Sequence, residues 1–221
     1  MESDEYYKTK EVYYRMNRAR KEAILSLLEK NGRGLILDVA CATGELGETI
    51  KNVTQYKVWG ADISSNFLET AGKKLDRTFC FDISSDFSSW PAEIKTEKFD
   101  KIILSEILEH LFFPERLLKN LKNICVQDAE IIITVPNVLF WKNRLKILFG
   151  NFDYTDQGLM DRGHIHFFSW ESLEKLVNDA GFQIVDTKNF IPTRGTKWLG
   201  KIFPGLFAFQ FIVKAKLNVT L

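Results

Sequence analysis

His110, His164 and His166 are the only imidazoles in the 221-residue chain, and they fall in two short stretches. Imidazole is the side chain best suited to move a proton near neutral pH, so this concentration marks a candidate chemical centre. Glu106, Glu109 and His110 stand at i, i+3 and i+4. That spacing predicts a helix beginning after Ser105 with all three on one face. Two carboxylates and an imidazole, joined by His164 from the later stretch, form a mixed oxygen and nitrogen donor set suited to Mg²⁺ or Mn²⁺. The same residues could instead work without metal, His110 taking a proton with Glu109 and His164 beside it. A third reading is structural: carboxylates complementing a helix N-terminus and a histidine bonded to a neighbouring loop. Spacing alone leaves all three open.

A second constellation consists of aspartates at strand ends. The segment Leu35 to Gly47 (LILDVACATGELG) reads as an apolar strand with Asp38 near its end, a turn of small residues, and a helix start. Small residues at Ala40, Ala42 and Gly44 let the main chain approach a ligand, and the helix amides that follow can serve its polar groups. Asp62 comes 24 residues after Asp38, and Asp82 a further 20 residues on. In open α/β sheets ligands bind beyond the carboxyl ends of the strands, where an acid on the second strand can accept both ribose hydroxyls. The array suits an adenosine-containing ligand. Ala42-x-Gly44-x-x-Gly47 also imitates a dinucleotide fingerprint, which keeps a dinucleotide-dependent oxidoreductase as an alternative.

These residues need a scaffold, and the pattern of apolar runs supplies one. Strands are expected at Gly34–Ala40, Tyr56–Asp62, Arg77–Asp82, Phe99–Ser105 and Ala129–Val135. Their near-continuous apolar character is that of parallel strands covered on both faces. Helices are expected near Glu45–Lys51, Ser64–Lys74 and Glu115–Val126, with Ser64 or Ser65 as N-cap of the second. After a helix around Trp170–Val177, stopped by Gly181, Phe182–Phe190 and Leu206–Leu217 read as strands joined by a Pro- and Gly-rich linker. With no crossover helix between them, they predict an antiparallel pair at one sheet edge. A helix over Lys10–Lys30, preceded by Tyr6, Tyr7, Tyr13 and Tyr14, would cover the site or the sheet. The organisation expected is a helical cap over 1–33 and an α/β domain over 34–221, with 137–168 forming a lid on the acceptor side.

With these residues in view, the sequence resembles the class I S-adenosylmethionine-dependent methyltransferases, LDVACATG standing where that family has its glycine-rich first motif. The resemblance covers about residues 34 to 217. It implies a Rossmann-like fold: a mostly parallel seven-stranded sheet, an antiparallel hairpin at its C-terminal edge, and helices on both faces. It also implies S-adenosyl-L-methionine as cofactor. Asp38 and the Ala40 to Gly44 turn would surround its methionine part, Asp62 its ribose, and Asp82 with the Ile83 backbone its adenine, with Ile63 and Ser105 also in the cofactor site. A closer likeness, carried by SEILEHL, VPN, LFGNFDYTDQGLMDRGHIHFFSWESL and FPGLFAFQFIVKAK, is to a subgroup often found beside glycosyltransferases and glycan-assembly genes. Glu106, Glu109, His110 and a distant histidine also look like the E-x-x-E-H arrangement of metal-dependent O-methyltransferases, among them the ubiquinone-biosynthesis type and the small-RNA 2′-O-methyltransferases. The expected reaction is O-methylation of a sugar or glycan-type acceptor, free or lipid-linked. Ala42 departs from the family pattern, where glycine is commoner, and its methyl group would crowd a tightly bound ligand. A methyltransferase fold retained as a non-catalytic scaffold is the alternative from a different class.

Charge restricts the partners. Lys and Arg number 30 against 29 Asp and Glu, for a net charge of +1, so the chain lacks the general field of a dedicated nucleic-acid binder. Positive charge is local: Lys142, Arg144 and Lys146 lie in an acid-free stretch, and six Lys or Arg but no acid follow Asp186. Arg194, Lys197 and Lys201 are interleaved with Trp198, Ile202, Phe203 and Phe207. This mixture suits either a packed lid with solvated lysines or contact with a membrane surface. No leader or spanning segment is readable, and Cys41, Cys80 and Cys125 make no paired motif. A reducing cytoplasm is the expected compartment.

Overall fold

The computed structural model describes residues 16–156, 158–192 and 197–218. Its centre is a seven-stranded sheet of order β3-β2-β1-β4-β5-β7-β6. The strands are β1 (Arg33–Val39), β2 (Gln55–Asp62), β3 (Arg77–Cys80), β4 (Phe99–Ser105), β5 (Cys125–Pro136), β6 (Phe182–Thr187) and β7 (Gln210–Leu217). All neighbouring pairs among β1 to β5 are parallel, and β7 runs antiparallel to both β5 and β6. This is the Rossmann-like methyltransferase fold with its antiparallel C-terminal edge. The chain moves outward from β1 to β3 and returns to β4 on the other side of β1, so a crevice opens between the ends of β1 and β4.

Strand alternation divides the core into two layers, because successive side chains point to opposite faces. In β4, Ile102 and Leu104 join Leu37, Ile131 and Ile133 on one face, while Ile103 joins Ile36, Ile132 and Ile212 on the other. The described helices are α1 (Arg18–Leu27), α2 (Glu45–Val53), α3 (Ser65–Ala71), α4 (Ala92–Thr96), α5 (Pro114–Leu121), α6 (Trp141–Leu148), α7 (Trp170–Asp179), α8 (Lys197–Ile202) and α9 (Pro204–Phe207). Helices α1 to α3 cover the Ile103 face, with Ile24, Leu27, Leu46, Ile50 and Leu68 buried against it. Helices α5 and α7 cover the other through Leu117, Leu118, Leu121, Leu173 and Val177. Each such aliphatic side chain contributes roughly 1.5–3 kcal/mol by leaving water. Ser64 caps α3, its hydroxyl accepting from the Phe67 amide.

Several expected boundaries shift. The expected third strand ends at Cys80, two residues before Asp82, which turns back on its own loop. The apolar run beginning at Leu206 is first helical, as Pro204 occupies the first turn of α9, and β7 starts only at Gln210. Phe190 keeps a single bridge to Gln210 after β6 has ended. Of the expected Lys10–Lys30 helix, residues 10–15 lie outside the described residues and the described part is helical only from Arg18 to Leu27 as α1, capped by Asn17; Tyr6, Tyr7, Tyr13, Tyr14 and Arg194 also lie outside the described residues. Among the described residues no helix is long and apolar enough to cross a membrane. The three cysteines are free thiols.

Candidate active site

A cavity of about 860 Å³ opens at the carboxyl ends of β1, β2 and β4, within the size range of cofactor and substrate sites. One end is lined by Ala40, Ala42, Asp62, Ile63, Asp82, Ile83 and Ser105, the other by Glu109, His110, Asp161 and His164. Both predicted constellations therefore reach one space, with Asp38, Gly44 and His166 outside its lining.

The turn after β1 is shaped by backbone that glycine would adopt more easily. Ala40, Ala42 and Gly44 have φ of 56°, 46° and 72°. Asp62 holds this turn in place: its Oδ2 accepts from the Ala42 amide at 2.9 Å and its Oδ1 from the Ser64 amide at 2.9 Å. Asp82 closes its loop similarly, accepting from the amide and hydroxyl of Ser84. Gly44 does not line the cavity. A β-carbon there would lie 3.1 Å from the Ala71 α-carbon, so this glycine serves the packing of α2 against α3. Asp38 lies one layer deeper, in a pocket of about 10 Å³ bounded by Ala40, Glu45 and Ser105. It is 2% exposed, and its Oδ2 has no hydrogen-bond partner among the described residues. Burial, and secondarily the nearby Asp62 charge, pushes its carboxyl up to about 7. A buried acceptor without a donor is an attraction for a cation or N–H group.

At the acceptor end, the helix expected after Ser105 does not form. Glu106 instead has φ of 57°, and only a single 3₁₀ turn follows, Leu108–His110. Glu106 is thus swung off the face shared by its neighbours. Its Oε1 accepts from the Thr134 hydroxyl at 2.9 Å and its Oε2 pairs with the Arg20 guanidinium at 3.2 Å. Among the described residues, Glu109, His110 and His164 form the cluster of possible metal donors, with donor atoms all within 4.8 Å of one another. Glu106 is outside it. This corrects the expectation of Glu106, Glu109 and His110 on one helical face with His164 as a fourth donor.

The two histidine stretches are fastened together by main-chain bonds. The Ile165 and His166 amides both donate to the Glu109 carbonyl, and His110 Nδ1 lies 2.9 Å from the Gly163 carbonyl. A carbonyl can only accept, so Nδ1 carries the proton and Nε2 keeps a lone pair. His164 stacks edge-on to His110, with ring centroids 5.0 Å apart. His166 turns away toward the Phe112 carbonyl. Glu109 is fully buried, and neither carboxylate oxygen has a hydrogen-bond partner among the described residues. Burial first and the Glu106 charge second raise its carboxyl well above the usual range. Such a group is neutral or compensated by an adjacent cation.

The family model described as "Methyltransferase domain" matches residues 11–187. The chain belongs to that methyltransferase family. Its fold is that of the class I methyltransferases: among solved structures an S-adenosylmethionine-dependent methyltransferase from Mesorhizobium loti superposes with TM-score 0.66 at 16% identity, covering 90% of this chain and 98% of that one. The magnesium protoporphyrin IX methyltransferase of Synechocystis, solved with bound SAH, gives TM-score 0.63 at 17% identity, over 92% of this chain and 89% of that one. These identities speak to fold. A ubiquinone biosynthesis O-methyltransferase of Glaesserella parasuis is 28% identical over 107 residues, 46% of this chain and 45% of the relative. The matched stretch thus spans less than half of that relative.

Two site residues of this methyltransferase domain escaped the sequence reading. Arg20 lines the cavity although it belongs to α1, and its Nε is buried without a partner among the described residues. Arg20, Ile24 and Leu27 are the buried residues of α1, so a cation stands on the apolar stripe of a helix. That misplaced charge was the available signal. Asp161 is buried against the cavity, accepts from the Gly163 amide, and adds negative charge near Glu109. Nothing in its local sequence pattern marks it.

Proposed function

We propose that this domain transfers the sulfonium methyl of S-adenosylmethionine to a hydroxyl oxygen of a sugar or glycan-type acceptor. The observation that carries the reading is Glu109, fully buried with both oxygens unpartnered, beside His110 and His164 in the cavity that also receives the strand-end residues. An alcohol is a poor nucleophile at neutral pH, and a pre-oriented base is what methyl transfer to oxygen requires. His110 Nε2, its tautomer fixed by Gly163, accepts the acceptor's proton, and Glu109 stabilises the imidazolium that results. Phe112, Phe113 and Phe209 line the cavity with apolar surface that would face the body of the acceptor. The O-methyltransferase name of the Glaesserella parasuis relative supports oxygen as the methylated atom.

Arg20 and Asp38 serve the cofactor's amino-acid end in this reading, the guanidinium for its carboxylate and the orphaned Asp38 oxygen for its ammonium group. The donor set also fits a divalent ion, because Glu109 offers two unpartnered oxygens and His110 a free lone pair. Glu109, His110 and His164 would hold Mg²⁺ or Mn²⁺, which would lower the pKa of the acceptor hydroxyl.

The test is methyl transfer from labelled cofactor to a panel of sugar and phenol acceptors, with chelator or added Mn²⁺, for the wild type and Glu109→Gln. The substitution is expected to lower kcat about 10²–10⁴-fold while leaving S-adenosylhomocysteine affinity within about two-fold. Equal loss of turnover and affinity would defeat the assignment. Turnover confined to phenols would redirect the acceptor class.

A further inference from the structure

Beside the cavity lies a surface that methyl transfer does not use. Helix α6 buries only Asn143 and leaves Leu145, Ile147 and Leu148 exposed. The exposed apolar run continues through Phe149, Phe152 and Tyr154, with Leu148 and Phe149 76% and 78% open to solvent. Trp141, Leu145 and Leu148 fall on one helical stripe at i, i+4 and i+7, flanked by Lys142 and Lys146. A second exposed group, Trp198, Ile202 and Phe203, accompanies Lys201 in and after α8. Arg144 brings α6 near the start of α9, which follows this second group: its Nε donates to the Leu139 carbonyl at 2.7 Å and its Nη2 reaches the Gly205 carbonyl at 3.4 Å.

We propose that this face docks the domain onto an anionic lipid bilayer. Contiguous exposed apolar side chains are a signature of an interaction surface, whereas scattered ones are ordinary. Charge decides the kind of partner. Helices α6, α8 and α9 carry Lys142, Arg144, Lys146 and Lys201 and no acid; of the acids nearby, Asp153 is exposed between Phe152 and Tyr154, Asp156 is paired with Arg162 and Glu171 lies within the field of Arg144, so the four cations outweigh the acid on the face. Aromatic and aliphatic side chains flanked by cations match a headgroup layer with anionic phosphates, and insertion in the plane of the bilayer needs no spanning helix. The same loop that carries Phe152 and Tyr154 supplies Gly158, Leu159 and Asp161 to the cavity wall. Docking therefore brings the cavity mouth close to the bilayer.

The test needs neither cofactor nor acceptor, so its outcome is independent of the proposed reaction. The full chain is sedimented with vesicles of phosphatidylcholine alone and of phosphatidylcholine with phosphatidylglycerol at roughly 7:3. Retention on the anionic vesicles only, weakened by salt, is expected. Lys142→Ala with Lys146→Ala should weaken partitioning about 30-fold, each surface cation contributing about five-fold. Leu148→Ser with Phe149→Ser should abolish retention at low salt, with the thermal midpoint unchanged because both side chains are exposed. Absence of retention on either vesicle, or retention indifferent to both double variants, overturns the proposal. So does concentration-dependent self-association that the Leu148→Ser, Phe149→Ser variant abolishes in the absence of vesicle binding, which would assign the face to a second copy of the chain.

Discussion

Replacing Asp38 by Asn should make the cofactor-free domain more stable and its ligand binding worse, with a pH dependence that identifies the cause. Burial raises the Asp38 carboxyl from an ordinary 3.8 to about 7. Ionising it in the folded chain therefore costs on the order of 4 kcal/mol relative to the unfolded chain. The sign follows from proton counting. Between the two values the unfolded chain has released the proton and the folded chain retains it, so wild-type stability falls as pH rises from about 4 to about 7, then levels. Asn carries no such term, but its buried amide hydrogens cost about 1–3 kcal/mol if left unpaired. The net gain from Asp38→Asn should be roughly 1–3 kcal/mol at pH 8 and absent, or reversed, near pH 4. Urea denaturation at a series of pH values measures it. In the wild type, a ligand ammonium group should bind the ionised form, so affinity for S-adenosylhomocysteine should fall about ten-fold for each pH unit below about 7 and be flat above it. Calorimetry in buffers of different ionisation enthalpy should register close to one proton released at pH 6. Wild-type binding that is independent of pH, with no proton released, would refute the argument that this buried oxygen meets the cofactor's cation. So would an Asn variant that keeps the slope.

The backbone of the first turn gives a second prediction: Ala40→Gly and Ala42→Gly relieve left-handed φ values of 56° and 46°. Each should stabilise the domain by about 1 kcal/mol, seen as a thermal midpoint raised by about 2–4 °C. Gly60→Ala should do the opposite, since its β-carbon would lie 2.5 Å from Leu75 Cδ1 and 2.7 Å from Cys41 Sγ. A loss of about 1–3 kcal/mol is expected in denaturant titration. Arg20→Met leaves Glu106 without its cation and should weaken S-adenosylhomocysteine binding as well as stability. Adding Glu106→Gln should restore stability but not binding, and a double-mutant cycle should give a coupling of about 1–2 kcal/mol.

The sequence revealed the sheet because its parallel strands are covered on both faces, so that β1 and β4 have continuous apolar centres at Leu35–Leu37 and Ile102–Leu104. The same reasoning extended the last strand too far back, since Leu206 and Phe207 are as apolar as β7 but follow a proline that begins a helical turn. At the site, the concentration of imidazoles in two stretches led to Glu109, His110 and His164. The assumed helix led Glu106 astray, because residue spacing cannot reveal a single left-handed backbone angle. Arg20 was missed for a different reason. Its partner, Glu106, is 86 positions away in the chain, and local pattern does not register a pair formed by tertiary packing.

The position of β7 bears on how the chain must be made. Five parallel strands and α7 precede it, yet it pairs along β5 from Glu130 to Pro136 and then carries β6 on its far side. On a ribosome, the outer edge of β5, with Ile131, Ile132, Ile133 and Val135, stays unpaired until residues 210–217 have emerged. Such an apolar edge is a template for pairing with other nascent chains. Translational pausing or truncation just before Gln210 should therefore yield aggregates instead of a nearly complete domain, and a chaperone that covers extended apolar segments should act on this chain late in synthesis.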